Sequence, residues 1–230
     1  MLAAAGALGQ EAGWVFGAEP AMLETALLAF TTFFATIGPL DTAALYPALT
    51  PNNTARERRG MALRGAAIGA AILAFFALFG QGVLGVFGIT LPALRTAGGV
   101  LLLLIAIDLV FARPSGGTTA TEEERAEATS SNDVSVFPLA TPLIAGPGAI
   151  GAAILLTADA QRDPVRIGIV LGAMLAVVLL TYVLLLAATP VQRLLGVTGL
   201  HVVSRVSGVL LAALAVQFLF DGIRESGIWR

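Results

Sequence analysis

Apolar residues in this chain fall into six long blocks, and short polar clusters punctuate the gaps between them. The blocks cover residues 22–50, 60–87, 91–112, 136–158, 166–189 and 200–221. Each holds on the order of 20 residues or more, which at ~1.5 Å rise crosses a hydrocarbon core of ~30 Å. The punctuation is Asn52 to Arg59, then Gly88-Ile89-Thr90, residues 113–135, Asp163-Pro164 and Thr189-Pro190. In lipid every backbone polar group must be satisfied within the protein, so uniform apolar blocks of this length predict helices. The expected fold is an all-α integral membrane protein with six transmembrane helices.

Two blocks carry interruptions that a simple spanning helix would not. Residues 138–150 read PLATPLIAGPGAI, three prolines and two glycines inside an uncharged run that continues to Thr157. Proline removes a backbone donor and clashes one turn back, so the helix must break inside the membrane. The first block breaks at Gly38-Pro39-Leu40-Asp41-Thr42, with Pro47 following. Broken backbone at membrane depth survives where it is buried in protein or lines a polar cavity. One interrupted segment in each half of a chain is the sequence pattern of a carrier's substrate site. A half-helix start offers N–H groups and partial positive charge to a carboxylate, and the preceding half offers carbonyls to an ammonium. The candidate substrate-binding positions are therefore Gly38, Pro39, Asp41 and Thr42 in the first break and Ala145, Gly146, Pro147 and Gly148 in the second.

The halves also resemble each other. Gly88-Ile89-Thr90 followed by ALRTAGGVLL resembles Gly196-Val197-Thr198 followed by VVSRVSGVLL, and with a small insertion in the second copy Arg95 and Gly98 fall opposite Arg205 and Gly208. Pro39-Leu40 aligns with Pro142-Leu143. Two copies of three spans result, residues 22–112 and 136–222, and an odd span number sets the copies upside down relative to each other. The fold expected is thus two inverted three-helix repeats, with broken helices in spans 1 and 4. Residues 113–135, rich in Ser, Thr and Gly around Glu122-Glu123-Glu124, join them as a polar linker. Residues 1–21 and 223–230 form short tails, the first without the basic start of a secretory signal.

Composition agrees: 57% of residues are hydrophobic and 12% charged, against ~25% charged in a soluble domain. A net charge of −2 leaves no basic surface for nucleic acid. The chain has no cysteine and one histidine, His201, so no thiolate or histidine metal centre is expected, and no motif calls for a cofactor. No nucleophile–base pairing or metalloprotease motif points to an enzyme. The expected partners are the lipid bilayer and a small-molecule substrate. Arg56, Arg58, Arg59, Arg64, Arg113, Arg125, Arg193 and Arg205 gather on one side of the predicted spans, which places that side inside and both termini outside.

Among single residues, Asp41 is the most informative, because an aspartate at a helix centre costs roughly 2.5–3.5 kcal/mol on insertion scales. Its open roles are ammonium partner, cation ligand, proton carrier or helix cap. Asp108, Gln217 and Gln81 are secondary polar candidates for coupling. The Gly65/Gly69 and Gly168/Gly172 pairs suit close helix packing, within the protomer or between protomers of a homo-oligomer. Arg95 and Arg205, at matched positions, suggest a repeated structural role.

Three stretches carry a family resemblance: FPLATPLIAGPGAI at 137–150, FGITLPALRTAGGVLLLLIAIDLV at 87–110 and RERRGMALRGA at 56–66. They resemble the MarC family of six-span inner-membrane proteins, also called the neutral amino acid transporter family. The resemblance implies an inverted-repeat carrier of the bacterial inner membrane, moving small neutral amino acids by alternating access. A cation exporter using Asp41 and Asp108, or a non-transporting scaffold, are the alternatives. The chain departs from the family at the first break, where Asp-Pro-x-Gly-x-x-Pro becomes Gly38-Pro39-Leu40-Asp41-Thr42-Ala43-Ala44. The acid moves three residues, a displacement of ~4.5 Å along a helix.

Overall fold

The computed structural model describes residues 22–111, 133–161 and 163–227; the N-terminal tail and most of the linker lie outside them. The described chain is helical, with no strand among the described residues. Helix α1 covers residues 22–37 and α2 covers Pro39–Leu49. After a short turn come α3, Ala55–Val86, and α4, Leu91–Phe111. The second half opens with an irregular, π-like segment, Ser135–Ile144, followed by α5, Pro147–Asp159. Helix α6, Pro164–Leu186, and α7, Ala188–Glu225, complete the chain. Five helices are long and apolar enough to cross a membrane, and a sixth crossing forms when the irregular segment and α5, bent by 54°, count as one.

Local chemistry sets the boundaries. The Thr54 hydroxyl accepts from the Glu57 N–H while Glu57 receives the Thr54 N–H, a capping box that starts α3. Gly88, at φ 66°, ends that helix: its N–H bonds Gly85 and the Ile89 N–H bonds Leu84, the paired closure that a left-handed residue makes possible. Asp163 caps α6 by accepting from the Val165 N–H, with Pro164 at the first helical position. Helix α6 ends at Leu186 and α7 begins at Ala188, so Thr189-Pro190 marks this boundary from the first turn of α7, where proline is tolerated, and the chain from there to residue 200 is helical and not a loop.

The three-span copies pack mainly across each other. Helix α4 lies along α7; α3 packs on the irregular segment and α5, while α6 packs on α2; α4 touches α5, while α7 touches α2. Exchanging the first copy for the second maps each of these contacts onto another, as a pseudo-two-fold arrangement of inverted repeats requires. Small residues let these elements approach. A β-carbon at Gly65 would come within 2.5 Å of Leu139, and one at Gly69 within 2.6 Å of Ile144. That pair is therefore consumed inside the protomer. Gly168 and Gly172 have open space beside them.

Contacts between distant residues mark the two ends of the bundle. At one end Arg95, at the start of α4, pairs with Asp159 at the end of α5 and Glu225 at the end of α7. At the other, Arg64 of α3 meets Asp133 at 2.9 Å, and Tyr46 donates to the Arg58 carbonyl at 2.5 Å. Six crossings put each of these sets on a single side. The suggested kinship of Arg95 and Arg205 does not hold: Arg95 is mostly buried in its ion cluster, whereas Arg205 is exposed.

Candidate substrate site at the paired helix breaks

Both breaks are built alike. Gly38 is the N-cap of α2 and Pro39 its first residue; Gly146 is the N-cap of α5 and Pro147 its first residue. The structural counterpart of Pro39 is thus Pro147, and the sequence alignment with Pro142 is shifted by five residues. The reason lies in the irregular segment. Phe137 and Thr141, each ahead of a proline, take extended backbone at φ −127° and −133°. A residue before proline is pushed out of the helical region, so Phe137-Pro138-Leu139-Ala140 and Thr141-Pro142-Leu143-Ile144 repeat one conformation twice. Both X–Pro bonds are cis. Hydrogen bonds over five residues, Leu139 N–H to Val134 and Ala145 N–H to Ala140, hold the segment together.

At the first break Gly38 sits at φ 58° and ψ 61°, a left-handed conformation open to glycine. Its N–H still reaches the Phe34 carbonyl at 3.1 Å, and its carbonyl accepts from the Thr42 N–H at 2.9 Å. The Thr42 hydroxyl donates to the Ile37 carbonyl at 3.2 Å, which satisfies one of the acceptors that the interruption frees. Asp41 stands in the first turn of α2, half-buried. Its carboxylate lies 3.4 Å from where a β-carbon on Gly38 would be, so it folds back over the break. A negative group at that position is favoured by the helix dipole. The helix restarts at Pro39 rather than at Thr42.

The breaks meet. A β-carbon on Gly148 would stand 3.8 Å from the Thr36 methyl, half a turn before Gly38. It would also stand 2.6 Å from Ile105 and 3.5 Å from Leu102, so α4 closes one side of the junction. Ala145, Gly146 and Gly148 are buried, while Pro147 is exposed. The first turn of α5 presents the N–H groups of Gly148 and Ala149, which a helical ladder leaves unused. The fully buried polar side chains near this core are hydroxyls. Thr32, Thr36, Thr157 and Thr181 donate to the carbonyl four residues earlier at 2.7–2.8 Å, keeping an acceptor lone pair. Apolar surroundings give Thr157 and Thr181 no signal in the sequence.

Beside the first break lies an apolar cavity of about 530 Å³ between α1 and α7. Phe30, Phe34 and Ala35 line one wall, and Val206, Ser207 and Leu210 the other. Phe34 and Ala35 belong to the turn that ends at Gly38. The remaining candidates lie elsewhere. Gln81 is exposed on α3, and Gln217 is exposed on α7 and donates to Asp221 at 3.0 Å. Asp108 is half-buried near the end of α4 and has no ion-pair partner among the described residues. No cluster of three His, Cys, Asp or Glu side chains is assembled among the described residues.

Comparison with known proteins bears on nearly this whole region. Residues 23–226 match the family described as MarC family integral membrane protein. A UPF0056 membrane protein of Methanocaldococcus jannaschii is 36% identical over 202 residues, covering 88% of this chain and 97% of the relative. The UPF0056 membrane protein YvbG of Bacillus subtilis is 32% identical, with 85% and 92% covered, and YhcE of Escherichia coli is 31% identical, with 85% and 90% covered. No solved structure matches the chain.

Proposed function

The chain belongs to the MarC family of multi-pass integral membrane proteins, and from that premise we propose that it carries small neutral amino acids or similar zwitterions by alternating access. The reading places it in a bacterial inner membrane with both termini outside. One observation carries it: each copy has a half-helix begun by Gly-Pro, and the first turn of α5 packs at Gly148 towards Thr36, two residues before the first break. The N–H groups at the start of α5 receive the carboxylate. Asp41, over the start of α2, and nearby carbonyls receive the ammonium. The apolar cavity reached from Phe34 and Ala35 accommodates the side chain, which suits a neutral solute. Rocking of one copy against the other exposes the junction to each side in turn.

Uptake of labelled alanine, serine and glycine into proteoliposomes tests the reading. Saturable uptake above that of empty vesicles is expected, along with its loss in Asp41→Asn. If Asp41 also carries the coupling proton, uptake in the native protein follows an imposed pH gradient. Uptake that is indistinguishable from empty vesicles for every neutral amino acid would refute the carrier assignment.

A further inference from the structure

A second cavity, of about 170 Å³, opens at the end of the bundle where α2 turns into α3. Tyr46 and Pro47 of α2, Arg58 and Arg59 of α3, Leu185 of α6 and Ala188 of α7 line it. From its charge and its position we infer that this cavity binds the phosphate of an anionic membrane lipid.

The electrostatics are one-sided. Two arginines line the cavity, and no acidic residue does. The nearest acid in sequence, Glu57, is committed to the Thr54 cap, which its carboxylate accepts at 2.7 and 2.8 Å. Asp133 is held by Arg64. Among the described residues no ion pair joins Arg56, Arg58 or Arg59 to an acid. Two cations without counter-charges in one concavity call for an anion, and guanidinium matches phosphate geometry through paired N–H donors.

Arg58 is also held in place. Its Nε donates to the Thr50 carbonyl at 3.0 Å, with Nη2 on the same oxygen, while its own carbonyl accepts from Tyr46. The guanidinium is therefore fixed before any ligand arrives, which lowers the ordering cost of binding. Arg59, exposed at the rim, closes over the guest.

Position selects a lipid over a free anion. The cavity lies where spans end, at headgroup depth, and its lower wall continues into α6. There Leu186, Val183, Leu179 and Leu175, each 44–61% exposed, form one apolar strip running into the membrane. Residues spaced by three and four share a helix face, so a phosphate seated by the arginines has its acyl chain aligned along that strip. Polybasic sites at a membrane surface gain roughly 1 kcal/mol per arginine from anionic lipid, about a fivefold change in affinity.

The test uses the full chain purified in detergent and in phosphatidylcholine nanodiscs with and without phosphatidylglycerol. Bound lipid is counted by native mass spectrometry, and stability is read from the thermal midpoint. Phosphatidylglycerol is expected to remain bound and to raise the midpoint, with affinity about fivefold weaker in Arg59→Gln. Arg56→Gln, outside the cavity, is expected to keep the native affinity. Arg59 makes no ion pair among the described residues, so that variant remains folded even if Arg58→Gln disturbs the loop. Equal loss in Arg56→Gln would reduce the site to diffuse surface charge and overturn the inference. So would equal stabilisation by phosphatidylcholine alone, or by inorganic phosphate without lipid, the latter assigning the cavity to a free anion.

Discussion

Gly65 and Gly168 have the same sequence context, a small residue four positions away inside an apolar helix, yet their environments are opposite. At Gly65 a β-carbon would meet Leu139 at 2.5 Å and the Ser135 carbonyl at 3.0 Å; at Gly168 it would meet nothing within 4 Å. Overpacking a tight contact costs typically 1–3 kcal/mol, roughly what Gly65→Ala should lose, whereas Gly168→Ala should stay within about 0.5 kcal/mol of the native protein. Thermal unfolding of the two variants in detergent measures both. Spacing made each pair visible in the sequence, but direction around the helix is set by the partner elements. A strict four-residue spacing carries no information about which face they cover. Asp133 yields a second residue-scale prediction. Partial burial pushes its carboxyl up, but hydrogen bonds from Ser135 and the Arg64 guanidinium outweigh that and hold it below the usual carboxylate range. A carboxyl lowered by folding contributes stability above the unfolded value of about 4, and loses it as pH falls through the lower folded one. The native thermal midpoint should therefore drop more steeply below about pH 4 than that of Asp133→Asn. The difference stays small because both partners are roughly half-exposed.

At the scale of elements, the breaks were readable because proline and glycine act locally, whatever the surroundings. Their register was not. Three prolines in residues 138–150 gave three candidate restart points, and only the one preceded by an N-cap glycine begins a helix. The segment before it adopts a repeated extended-then-turned backbone that no helical periodicity encodes. The long continuous α7 was hidden for a similar reason, since Pro190 reads as a stop but sits in a first turn, where its missing N–H costs nothing. The ion cluster that fastens three helix ends was also invisible, because Arg95, Asp159 and Glu225 are far apart in the chain. Arg95 is 12% exposed while its acids are near 40%, so the guanidinium is the buried member. Arg95→Gln should loosen the starts and ends of α4, α5 and α7 together and lower the thermal midpoint by several degrees. Arg95→Lys should recover only part of it, since an ammonium lacks the planar fork that spans two carboxylates. Hydrogen–deuterium exchange would locate the loosening at those three helix ends and not in α2 or α6.

The whole molecule makes the sharpest demand on topology. The contacts of Arg95 with Asp159 and Glu225 require the start of α4 and the ends of α5 and α7 to share a side. Those of Arg64 with Asp133 and of Tyr46 with Arg58 put the α2–α3 turn and the start of the second copy together at the other. Two crossings between each set of partners satisfy both, as six spans divided three to a copy provide, and the exchange of packing partners between copies agrees with it. The chain has no cysteine, so single cysteines can be introduced without a background. Asn52→Cys and Ser226→Cys lie in turns at opposite ends of the bundle. A membrane-impermeant maleimide applied to intact cells should label Ser226→Cys and spare Asn52→Cys, and permeabilising the cells should expose the second. This outcome follows from setting the arginines around residues 56–64 inside, where positive loops accumulate. Reversed labelling would keep six spans and invert the protein in its membrane, moving Arg58 and Arg59 to the outer leaflet. Labelling of both positions from outside would break the six-span count itself, and with it the opposed half-helices on which a shared substrate junction depends.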